Sequence, residues 1–108
     1  MKRRPEKKRD RKGNEIVVGV AWYRAEDYPR LLEVATDRKG MHSRFVDWEQ
    51  SALLNNDKLR EQGIRIEKIE IDLEELIAWC NARNRSNDGA ARAEFAVEKL
   101  RARLSPNT

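Results

Sequence analysis

Apolar positions along the chain fall into two strand-like runs and four helical stripes. The first run, residues 16–23 (IVVGVAWY), is continuous and β-branched, the pattern of a strand buried on both faces. Ile16, Val18, Val20 and Trp22 point to one side, and Val17, Gly19, Ala21 and Tyr23 to the other. The second side is shallow at its centre, so a helix or a partner backbone can approach closely there. Residues 25–36 predict a short helix. Glu26 and Asp27 suit its positive N-terminal end, Pro29 is tolerated in a first turn, and Tyr28, Leu31, Leu32 and Ala35 form one stripe. After a loop over residues 36–42, Ser43 reads as the N-cap of a longer helix to Gln62. Phe45, Trp48, Ala52 and Leu59 lie near one face of it, a face that Asn55 and Asn56 weaken. Gly63 reads as its terminator.

The second run, residues 64–71 (IRIEKIEI), changes parity midway: Ile64 and Ile66 share one side, Ile69 and Ile71 the other. Such a slip predicts a β-bulge near Glu67-Lys68, or a strand that changes its buried face. Asp72, with Glu75 three residues on, resembles a capping box opening a helix over residues 73–84. Leu73, Leu76, Ile77 and Cys80 would face inward from it. A turn at residues 85–89 leads to a last helix ending near Leu104, with the stripe Ala93, Val97, Leu100 and Leu104 and Phe95 alongside. Ser105-Pro106 stops it. The expectation is a single α/β (α+β) domain ordered β-α-α-β-α-α. Its two-stranded sheet, most simply parallel through a right-handed crossover, is covered by about four helices. Two strands are thin for independent stability, so the helices cover the sheet thoroughly or its edge pairs across a homodimer.

Charge changes this picture little. The whole chain carries 23 Lys and Arg against 19 Asp and Glu, but its first 12 residues hold eight of the cations and two of the acids. The other 96 residues balance 15 cations against 17 acids, so the basic pI of about 9.5 belongs to a short segment. Residues 1–14 therefore read as a disordered basic arm, 15–104 as the domain and 105–108 as a tail. Lys2, Arg3, Arg4, Lys7, Lys8, Arg9, Arg11 and Lys12 are the candidates for nonspecific, salt-sensitive contact with nucleic acid. No aromatic is interleaved among them to stack on bases. The longest apolar run falls far short of the roughly 20 residues of a membrane span, and it lacks the flanks of a secretory signal. One cysteine and one histidine exclude an internal disulfide and a Cys/His zinc site within one chain, and fit a cytoplasmic protein.

Candidate chemistry is sparse. Parallel strands would gather Glu26 and Asp27 with Asp72, Glu74 and Glu75 at one sheet edge, beside Arg24. Glu26, Asp27, Asp72 and Glu75 are thus weak candidates for a divalent cation. Capping and the helix dipole account for acids in a first turn without any ligand. His42 reads as an exposed loop residue and Cys80 as a buried structural thiol. No phosphate loop, nucleophile elbow or HExxH pattern is present, and no cofactor is expected. Trp22, Trp48 and Trp79 are large anchors in a lean chain. Trp22 and Tyr23, with Arg24, are the candidates for a protein-binding surface.

The stretches GVAWYRAEDYPRLLEVA (19–35) and GIRIEKIEIDLEELIAWC (63–80) resemble a group of small bacterial proteins. In these a G-V-A-W-Y strand, a Y-x-x-L-x-x helix and a late L-x-W-C helix recur at similar spacing. The resemblance spans most of residues 15–100. It implies a bacterial cytosolic α/β domain and brings no activity, ligand or functional residue. The expected function is a non-catalytic accessory or protein-binding module, with nucleic-acid association through the arm as the alternative and a small enzyme at the carboxylate edge below both.

Overall fold

A computed structural model describes residues 7–104. In chain order the elements are β1 (Val17–Trp22), a 3-10 turn (Ala25–Asp27), α1 (Tyr28–Val34) and a second 3-10 turn (Arg38–Gly40). There follow α2 (Phe45–Glu61), β2 (Arg65–Glu70), α3 (Leu73–Ala82) and α4 (Gly89–Leu104). The described residues therefore form a small α+β unit with four α-helices and one two-stranded parallel sheet. No helix among the described residues is long and apolar enough to cross a membrane.

The caps show which local signals were used. Asp72 opens α3 as expected, its Oδ1 accepting from Glu75 N–H at 3.0 Å. Gly63 ends α2 at φ +82°, a left-handed conformation that favours glycine. Ser43 does not cap α2: the N-cap is Arg44, in extended conformation and without a side-chain cap bond. Asp88 caps α4 instead of a loop merely ending there, accepting from Ala91 N–H at 2.9 Å.

The strands pair in continuous register from Val17 opposite Arg65 to Trp22 opposite Glu70, so β2 contains no bulge. Its parity change reflects two different coverings. Ile69 and Ile71 are buried on the face that α4 covers, while Ile64 and Ile66 are half-buried on the face of α2. The helix α4 packs on β1, and α2 lies over β2 rather than β1. Between sheet and helices sits the core, built from Tyr28, Leu31, Ile69, Ile71, Leu76, Trp79, Phe95 and Leu100.

The buried face of α4 differs from its expected stripe. Ala91, Phe95, Ala96 and Leu100 face inward, with Arg92, while Ala93 is exposed, Val97 half-buried and Leu104 58% exposed. The helix is turned so that its small residues meet the shallow side of β1. A Cβ at Gly19 would stand 3.2 Å from Leu100 Cβ and 3.3 Å from Ala96 O. A side chain at this position would have to push Leu100 and the α4 backbone back by a few tenths of an ångström. Gly19→Val is therefore expected to lower the unfolding free energy by about 1–3 kcal/mol in denaturant titration. An unchanged midpoint would show that α4 does not press on the strand.

Candidate functional site

The outer edge of β1 carries backbone groups with no ladder partner among the described residues. Ile16 O accepts from Arg65 N at 3.0 Å and Trp22 O from Ile71 N at 2.9 Å. In a parallel ladder this phase turns the N–H and C=O of the even-numbered residues toward β2. Those of Val17, Gly19 and Ala21 face outward, and no other element among the described residues bonds them. The two edges of the sheet differ in chemistry. The β2 edge alternates Arg65, Glu67, Lys68 and Glu70, the charges that natural sheets use to block pairing. The β1 edge, VVGVAW, has no charge, no proline and no bulge.

Helices on opposite faces make a groove of this edge. Val18–Ala21 line a space of about 310 Å³ walled by Trp48, Asn55 and Leu59 of α2 and by Gly89, Arg92 and Ala93 of α4. Beside it on the α2 face lies a cavity of about 440 Å³, lined by Val20, Ala21, Trp48, Ser51, Ala52 and Asn56 among others. It exists because α2 sits over β2 and leaves the Val18–Val20 face of β1 thinly covered. At one end the Trp48 ring closes the space, its centroid 5.0 Å from Trp22 and 4.9 Å from Tyr23. Leu54, 58% exposed, stands on its rim. Asn56 is wholly buried in the cavity wall, and neither atom of its carboxamide has a hydrogen-bond partner among the described residues.

A buried ionic network fixes the other wall. Arg92 is only 5% exposed, and its Nη2 donates to both carboxylate oxygens of Asp37 at 3.1 and 2.8 Å. Its Nη1 donates to Asn87 O at 3.0 Å and Asn87 Oδ1 at 3.1 Å. Asp37 also accepts from Gly89 N–H at 2.9 Å, and Thr36 N–H donates to Asn87 O at 2.9 Å. The link between α1 and α2 is thereby tied to the start of α4. Burial opposes the charge on Asp37, but the Arg92 bonds and charge, with the Gly89 amide, outweigh it and hold the carboxyl below its ordinary range. Burial pushes the neighbouring Tyr23 phenol up, and the Arg92 charge offsets this only in part.

The candidate residues read from sequence are dispersed. Tyr23 is buried in the core, and Trp22 is half-buried, with Lys68 Nζ 4.3 Å above its ring. Arg24 is exposed but tied to Asp27 at 2.9 Å and Glu70 at 3.6 Å. Trp22 and Tyr23 thus pack against Trp48 at the end of the groove, Tyr23 buried and Trp22 in part accessible. Of the carboxylates, Asp27 serves Arg24, Asp72 caps α3, Glu74 pairs with Arg30 and Glu75 with Lys99. No group of three or more metal-ligating side chains comes together among the described residues. Cys80 is buried, and burial raises its thiol pKa despite the charges of Arg85, Arg92 and Arg83. The exposed His42 contributes its carbonyl, which accepts from the Tyr28 hydroxyl at 2.6 Å.

Part of the basic segment is hydrogen-bonded. Lys8 N–H donates to Gly63 O at 2.8 Å, and Lys8 O accepts from Ile16 N–H at 3.1 Å. Between them a turn closes on Asp10, whose Oδ1 accepts from the N–H groups of Lys12 and Asn14, with Gly13 at φ +82°. Lys7 pairs with Glu15 at 3.4 Å and Arg9 donates to Gly13 O, leaving Lys8, Arg11 and Lys12 exposed on the turn. Lys2, Arg3 and Arg4 lie outside the described residues.

The chain matches no protein-family model, no curated protein and no solved structure.

Among the supports of the groove, Asp37 is open to direct test. Because its carboxyl is held below the ordinary value of 3.8, its pairing stabilises the fold above that pH and is lost as the pH falls through the lowered value. Asp37→Asn should cost about 1.5–3 kcal/mol at neutral pH, toward the lower end since the carboxylate is 37% exposed. The gap between wild type and variant should close below pH 3.8. A gap constant with pH would show that the charge on Asp37 contributes nothing.

Proposed function

We propose that this protein is a non-catalytic protein-binding module that takes an extended segment of chain along the outer edge of β1. The contrast between the two sheet edges carries the reading. One edge bears the charges that prevent pairing, and the other presents the outward N–H and C=O groups of Val17, Gly19 and Ala21 between two helical walls. Strand addition uses such groups for affinity and the flanking cavities for specificity. The surrounding chemistry supports binding over catalysis, since the carboxylates near the strand ends are occupied by capping and ion pairs.

In the isolated protein the available extended segment is β1 of a second copy, which gives a homodimer through the sheet edge. An antiparallel β1–β1 contact about a two-fold axis would extend two strands to four and relieve the thinness of the sheet. Sedimentation velocity from about 5 to about 500 μM should then show concentration-dependent self-association, the weak regime of a small interface. Ala21→Pro removes only an outward N–H, so the variant should keep its far-UV circular dichroism and sediment as a monomer throughout. Association that survives Ala21→Pro, or a strict monomer in the wild type at the highest concentration, would contradict self-pairing through this edge.

A further inference from the structure

Asn56 has no role in the fold that its surroundings explain. It lies on the inward face of α2 with Phe45, Trp48, Ala52 and Leu59, where an apolar side chain would complete the stripe. Instead a carboxamide is wholly buried there with both Nδ2 and Oδ1 unpartnered. Buried polar groups are almost always hydrogen-bonded, and an exception calls for a cause such as strain, a bound water or a partner group. Asn56 forms part of the wall of the cavity of about 440 Å³ that opens beside Val20 and Ala21. That volume is within the ordinary range of ligand sites.

Resting on the strand-addition reading, we propose that the segment bound along β1 carries an asparagine or glutamine side chain whose carboxamide pairs with Asn56. A strand added to β1 directs alternate side chains to the α2 face, the face that Val20 shares with this cavity. Asn56 holds a donor and an acceptor side by side, closed off in the wall of the free protein, and a second carboxamide that opens the wall and reaches them satisfies both reciprocally. A carboxylate would pair with Nδ2 alone and an ammonium with Oδ1 alone, so each would leave one atom of the Asn56 carboxamide unpartnered. An aliphatic side chain would leave both atoms unpaired. The β1 strand of a second copy belongs to that last class, since its side chains on this face are Val18, Val20 and Trp22. Self-pairing is thus the weak mode, and a carboxamide-bearing strand the preferred occupant.

Titration of the isotope-labelled protein with acetyl-Lys-Val-Gln-Val-Lys-amide, and with the same peptide carrying Leu or Glu at its centre, tests this. The glutamine peptide should shift the Asn56 side-chain amide and the Ala21 backbone amide together, and bind about tenfold more tightly than the leucine peptide. Asn56→Leu should abolish that preference while retaining peptide binding, and should unfold at a higher temperature than wild type because an unpaired buried amide has been removed. Equal binding of the three peptides, with shifts confined to β1, would overturn the carboxamide proposal and leave the strand-edge reading intact. No shift from any peptide at millimolar concentration would overturn both.

Discussion

The contact of α4 with β1 at Gly19 sets the layout of the molecule. A residue without a Cβ lets the helix backbone approach the strand until Leu100 Cβ and Ala96 O lie 3.2 and 3.3 Å from where a Cβ would stand. With α4 held there, Phe95 meets Trp79 of α3 edge-to-face at 5.6 Å, and Arg92 points into the space between Tyr23, Asp37 and Asn87. The ion pair follows from the packing. Arg92 is buried because Phe95 and Ala96 are, and it is tolerated because Asp37 and Asn87 supply four of its hydrogen bonds. Buried charge of this kind fixes the angle of α4 more than it adds net stability.

The groove is the consequence on the opposite side. One helix presses on β1 and the other lies over β2, so β1 is tightly covered on its shallow face and thinly on its valine face. A sheet of two strands has two edges and no centre. Charge guards the β2 edge, and among the described residues nothing of that kind guards β1. The unpaired Asn56 lies on the thinly covered side. An uncharged edge, a cavity and an unsatisfied amide meet at Val20–Ala21. Each is costly for a free-standing domain, and one bound strand would relieve all three.

Some of this was legible in the sequence. The alternation of residues 16–23 identified Gly19 as the centre of a shallow face, because strand parity is a local property that tertiary packing did not alter. The parity slip in IRIEKIEI was visible too, and of its two explanations the structure supports the change of buried face. The phase of α4 was not legible. Ala93–Val97–Leu100–Leu104 and Ala91–Phe95–Ala96–Leu100 are both compatible with a helical period, and only the fit to β1 chooses between them. Arg92 lay hidden for a related reason, since Asp37 is 55 residues away in sequence. In the sequence Asn56 is only a polar interruption of the α2 stripe. Its depth and lack of partners are what give it meaning, and neither is a property of sequence.

Residue-resolved hydrogen exchange on the dilute protein tests the central claim, that β1 is locked on one side and open on the other. At micromolar concentration the amides of Val18, Val20 and Trp22, which face β2, should exchange slowly, and those of Gly19 and Ala21 fast. Such an alternating pattern within one strand is what a ladder bonded on a single edge produces. Uniformly slow exchange across Val17–Trp22 would mean that the outer edge is already paired or covered, and would contradict the account.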